Sequence, residues 1–161
     1  MRHILFICTA NQCRSPMAAG LFKQHIARLG QTEQWQIASA GTWAAPDRPA
    51  TLLARTAMAE RAIDLSGHLS QLLDGELLRG ADVILVMTRH HLEAICAEFP
   101  EVAGRTFLLS QLIGQMFDID DPVQGTIDDY RRCANDIQRI LADGYARLTE
   151  LADRGVLPPA L

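Results

Sequence analysis

Short runs of continuous apolar residues alternate along this chain with longer stretches in which apolar residues return every third or fourth position. Residues 3–7, rich in β-favouring side chains, predict a buried strand. Pro16 falls where a first helical turn tolerates proline and is followed at helical spacing by Met17, Leu21, Phe22 and Ile26, which predicts strand, tight loop, helix. A second strand is predicted over Trp35–Ala38, ended by Ser39-Ala40-Gly41-Thr42. A loop marked by Pro46 and Pro49 then leads into an alanine-rich helix over 50–62. Leu72–Arg79 reads as helix and Val83–Val86 as a fully buried strand, after which Thr88 is placed to cap a helix carrying Leu92, Ile95, Cys96 and Phe99 on one face. Thr106–Leu109 predicts a fourth strand and Asp118–Gly125 an acidic loop. One long helix over Ile127–Ala152 follows, with Tyr130, Cys133, Ile137, Ile140, Leu141, Ala146 and Leu148 on its apolar face, and a tail over 155–161 containing Pro158-Pro159 is expected to be mobile.

Apolar strands that alternate with helices predict a doubly wound α/β domain: a four-stranded parallel sheet with helices on both faces and right-handed crossovers. In such sheets ligands bind beyond the strand C-termini, near the switch point. The first such end is Cys8–Ser15, where polar and reactive residues concentrate.

The 161 residues suit one domain spanning 1–161. Charged residues make up 21% and the net charge is −4 with Lys and Arg scattered, which argues against nucleic acid as a partner. The run Ile4-Leu5-Phe6-Ile7 is too short for a signal segment or a membrane span, so no stable membrane insertion is expected and the protein is placed in the cytoplasm. Four cysteines without a secretory signal argue against a disulfide scaffold, and no Cys/His spacing resembles a metal site. His90-His91 before Glu93 does not match a zinc-protease motif and reads as solvated surface.

A loop between a buried strand and a helix N-terminus lets backbone N–H groups converge on an anion while the helix dipole favours negative charge. The segment Cys8-Thr9-Ala10-Asn11-Gln12-Cys13-Arg14-Ser15 is therefore a candidate phosphate cradle, and the same field favours the nucleophilic thiolate of a cysteine at its rim. Five residues between Cys8 and Arg14 let the guanidinium return over the sulfur and bind two phosphate oxygens. A phosphoester oxygen leaves poorly as an anion, so the chemistry also asks for an acid. Asp121, biased by Pro122 towards an extended conformation, is preferred to Asp118 and Asp120. Cys13 reads either as a small packing residue or as a resolving thiol for oxidised Cys8; Cys96 and Cys133 read as core filling.

Cys8 to Pro16, Ser39-Ala40-Gly41-Thr42 and Asp121-Pro122 resemble the signature segments of the low-molecular-weight protein tyrosine phosphatases, bacterial type, over essentially the whole chain. The resemblance implies Cys8 as nucleophile, Arg14 as phosphate ligand and Ser15 as a hydroxyl that bonds the thiolate. It further implies Asp121 as general acid and Asn11 as the residue that holds the loop through Ser39 and His68. It implies no metal or other cofactor, and a tyrosine-phosphorylated protein as substrate, a bacterial tyrosine kinase being one such protein. Val123 stands where an aromatic wall is expected, Gln12 where tyrosine-specific members carry an apolar residue and protein-arginine phosphatases a threonine, and Ala10 replaces a glycine, which requires φ below zero there. Protein-arginine phosphatase is thus the alternative activity. An arsenate reductase on the same fold would need a close downstream cysteine pair, and a non-catalytic phosphopeptide binder would not need Cys8 and Asp121 together.

Overall fold

The computed structural model describes residues 1–154; the tail expected over 155–161 lies outside the described residues. Four strands, β1 (Arg2–Cys8), β2 (Trp35–Gly41), β3 (Val83–Val86) and β4 (Thr106–Leu108), form one parallel sheet in the order β2-β1-β3-β4. Leu5 of β1 pairs in register with Ala38 on one side and Ile84 on the other. Because the chain leaves β1 first to one side and then, after β2, to the other, the C-terminal end of β1 is the switch point of the sheet.

Among the described residues six α-helices cover it: α1 (Arg14–Arg28), α2 (Leu52–Ala59), α3 (Gly75–Gly80), α4 (Arg89–Glu98), α5 (Ile127–Asp143) and α6 (Tyr145–Arg154). Successive residues of a strand face opposite sides, and β1 is apolar on both. Ile4, Phe6 and Cys8 join a core built with α1, α2, α5 and α6, while Leu5 and Ile7 join a second core with α3 and α4. Phe22 of α1 meets Phe6 edge-on at 5.9 Å between ring centroids and Trp35 at 5.0 Å, which fixes α1 over the sheet behind the loop it follows.

The strand and helix order is as the sequence pattern predicts, and the boundaries differ at instructive places. Ser39-Ala40-Gly41 continue β2 rather than ending it. The helix predicted over 50–62 is restricted to Leu52–Ala59, with Thr51 as its cap. The helix expected over Leu72–Arg79 is shorter, because Leu73 donates its N–H to Gly41 and Asp74 caps the next turn. The long terminal helix is two helices that meet at Gly144, where a Cβ would lie 2.5 Å from Leu112 Cβ.

Candidate active site

Residues 8–15 leave β1 and enter α1 in a tight curl. Its carbonyls are tied outward: those of Cys8, Thr9 and Gln12 accept from the N–H groups of Thr42, Trp43 and Thr51, and that of Asn11 bonds His68 Nε2 at 2.7 Å. None of the N–H groups of Thr9 to Cys13 donates to a protein acceptor among the described residues. A ring of amides freed in this way, at the first turn of α1, has the donors and the helix-dipole field that an anion site requires. Gly41 makes the curl possible, since a Cβ there would sit 2.4 Å from the Thr9 carbonyl and 2.9 Å from the Asn11 nitrogen.

Asn11 is the strut of the loop. It is fully buried with φ of 56°, and its Nδ2 donates to Ser15 Oγ at 2.8 Å and to Ser39 Oγ at 2.9 Å while its Oδ1 accepts from Gln71 N–H at 3.0 Å. Ala10 is not among the residues with positive φ, as its side chain requires. Ser15 Oγ accepts from Asn11, so its single proton is left for Cys8 Sγ at 2.9 Å or the Ala40 carbonyl at 3.4 Å, and the nearer acceptor is the sulfur.

Arg14 is 4% exposed. Its Nη1 donates to the Ile119 carbonyl at 2.9 Å and its Nη2 to Asp121 Oδ2 at 3.1 Å, so the guanidinium joins the first loop to the acidic loop over 118–125. Asp121 Oδ1 accepts from the Val123 N–H, and Pro122 is buried behind it. Asp118 is occupied elsewhere, accepting from the Arg89 N–H at 2.8 Å, and Asp120 is exposed without a hydrogen-bond partner for its side chain among the described residues. The structure thus brings Cys8, Asn11, Ser15, Ser39, His68, Arg14 and Asp121 together.

Several contacts around the site were not visible in the sequence. Gln12 turns its amide to the Pro49 carbonyl at 2.9 Å. Cys13 is buried, with Sγ 3.4 Å from Thr51 Oγ1 and 3.3 Å from Tyr130 Oη; burial pushes this thiol up against the opposing pull of those two hydroxyls. Burial pushes Cys133 up to about 12, leaving it an inert thiol, and Cys96 lies on α4 across the sheet. Trp43 stands at the rim, its N–H held by the Thr9 carbonyl and its side chain 84% exposed. His91 corrects the surface assignment made for His90-His91: it is 3% exposed, because the first turn of α4 packs it between Thr88 and Thr9. Burial, reinforced by Arg14, holds it down at about 4.

A model of the family described as low molecular weight phosphotyrosine protein phosphatase matches residues 3–153. The chain belongs to this family. It is 37% identical over 139 residues to a protein-arginine-phosphatase of Bacillus subtilis (strain 168), covering 86% of this chain and 91% of that one. It is 36% identical over 139 residues to a probable low molecular weight protein-tyrosine-phosphatase, EpsP, of Ralstonia solanacearum, covering 86% and 90%. Among solved structures of the family, the YwlE arginine phosphatase, as a cysteine-to-serine mutant with a phosphorylated active-site serine, superposes with a TM-score of 0.86 at 34% identity over 95% of this chain and 99% of that one. The homologues named as tyrosine phosphatases are hydrolases, and no helix among the described residues is long and apolar enough to cross a membrane.

Proposed function

We propose that the chain is a single-domain cytoplasmic protein tyrosine phosphatase that hydrolyses phosphotyrosine through a cysteinyl-phosphate intermediate. The observation that carries this reading is the pairing of the Cys8 sulfur with the Ser15 proton at the floor of a ring of free amides, with Arg14 reaching from that ring to Asp121. The phosphoryl group sits in the cradle with two oxygens on Arg14, and Cys8 attacks phosphorus in line with the ester oxygen. Phosphate and Asp121 compete for the same guanidinium, so substrate binding frees the carboxyl to hold the proton that the leaving oxygen takes. The same carboxylate then removes a proton from the water that cleaves the S–P bond, and Ser15 eases departure of the thiolate. The phosphorylated active-site serine of the YwlE cysteine-to-serine mutant supports a covalent intermediate. Four free cysteines support a reducing compartment.

Exposed Trp43 beside the cradle supports an aromatic phosphoester, since it supplies a stacking face that Val123 does not. A second reading, phosphoarginine hydrolysis, is favoured by the 37% identity to a protein-arginine-phosphatase and left open by Gln12, which matches neither the apolar residue of tyrosine-specific members nor the threonine of protein-arginine phosphatases. Separation of Cys96 from Cys133 by the sheet speaks against the arsenate reductase relay.

Metal-free turnover of matched phosphotyrosine and phosphoarginine peptides, by wild type and Cys8→Ser, tests the assignment. Phosphotyrosine preference abolished by Cys8→Ser is the expected result. Phosphoarginine preference would keep the chemistry and overturn the substrate; binding without turnover would make the chain a phosphopeptide binder.

A further inference from the structure

The β3–α4 corner, from Met87 to His91, touches both loops of the site. The Met87 carbonyl accepts from Ile119 N–H at 2.8 Å, and Arg89 holds the acidic loop through its N–H on Asp118 and its guanidinium on the Met116 carbonyl at 2.7 Å. His91 reaches the other loop: its Nε2 is 2.9 Å from Thr9 Oγ1, next in sequence to Cys8. Its Nδ1 is 3.0 Å from Thr88 Oγ1, and its own N–H donates to that hydroxyl at 3.2 Å.

One tautomer of the ring satisfies these contacts together. Thr88 Oγ1 already accepts from the His91 backbone, and its own proton has Nδ1 as acceptor. In the tautomer in which Thr88 donates to Nδ1, the ring proton of a neutral imidazole lies on Nε2 and is donated to Thr9 Oγ1. Thr9 receives a hydrogen bond and keeps its hydroxyl proton, on a half-buried side chain whose backbone is held by Trp43.

We infer that His91 is a positioning residue which, by donating to Thr9 Oγ1, turns the Thr9 hydroxyl into a further hydrogen-bond donor to the phosphoryl oxygens bound in the cradle. The inference rests on the phosphatase reading of this site, and it adds a side-chain donor to the loop amides and Arg14. Thr9 would contact substrate; His91 acts only through Thr9.

The test is a double-mutant cycle on Thr9→Val, which keeps shape and removes the hydroxyl, and His91→Gln, with Thr9→Ser as the conservative control. Inorganic phosphate affinity is measured by calorimetry, kcat and KM on a phosphotyrosine peptide, and the melting temperature for each variant. Thr9→Val is expected to weaken phosphate binding about tenfold, the range of a hydrogen bond to a charged group, and to act on KM more than on kcat. Thr9→Ser is expected to recover most of that loss. His91→Gln should weaken phosphate binding when Thr9 is intact and add nothing once Thr9→Val is in place, whatever it does to the melting temperature. Phosphate affinity unchanged in Thr9→Val, or effects of the two substitutions that simply add, would overturn the inference. Wild type that binds phosphate without hydrolysing any phosphomonoester would sink the functional reading, while the phosphate cycle would still decide the Thr9–His91 relation.

Discussion

Asn11 concentrates the most information at the scale of one residue. Its left-handed backbone and its three side-chain hydrogen bonds serve one purpose, curling carbonyls outward and amides inward. Asn11→Gly and Asn11→Ala lose the same bonds, but only alanine also meets the steric penalty of positive φ. Alanine is therefore expected to be less stable than glycine by about 1 kcal/mol in urea unfolding, and equal midpoints would refute strain at this position. Asp121→Asn is expected to lower kcat/KM, which reports the steps up to the cysteinyl phosphate, by about 10²–10⁴-fold for phosphotyrosine and by much less for an ester with a good leaving group such as p-nitrophenolate. An equal loss on both substrates would remove Asp121 from the role of acid. Cys8, Arg14 and Asp121 were legible because a reactive residue at a strand end, a returning guanidinium and an Asp-Pro each carry a local reason. His91 was not, because its chain neighbours Arg89, His90 and Glu93 are polar and the residue that buries it is 82 positions away.

Among the secondary-structure elements, the strands were the most legible, since a parallel strand buried on both faces leaves a continuous apolar run. The breaks were least legible wherever a distant residue causes them. Gly144 divides the terminal helix because Leu112 occupies the space a side chain would need, and nothing within residues 127–152 announces that neighbour. Gly144→Ala is expected to destabilise by about 1–3 kcal/mol through overpacking against Leu112, and Leu112→Gly, which removes the obstructing Cβ, should relieve part of it in the double variant; strict additivity would show that the break has another cause. Gly41 shows the same dependence inside the sheet. It reads as the end of β2, whereas its place there is set by the backbone of the loop it lies against.

Over the whole molecule, the buried imidazole of His91 couples the site to acid stability. Its folded value, about 4, lies below the unfolded reference of about 6.5, so between those limits the unfolded chain binds more protons. Burial and the charges of Arg14 and His90 lower it, opposed by Asp118 and Asp121. Stability from this group is complete above pH about 6.5 and is lost as pH falls towards 4, by on the order of 2 kcal/mol. Unfolding curves of wild type and His91→Gln should differ in pH slope across that window, and parallel slopes would exclude the coupling. The split between the two loops also has a consequence for synthesis. The groups that curl the loop backbone, from Cys8 through Ser39, Gly41 and Thr51 to His68 and Gln71, precede the β3–α4 corner, which carries His91, and Asp121 follows it. At ribosomal rates of about 5–20 residues per second, a nascent chain carries its thiol and the anchors of the loop backbone for several seconds before the proton donor has been made.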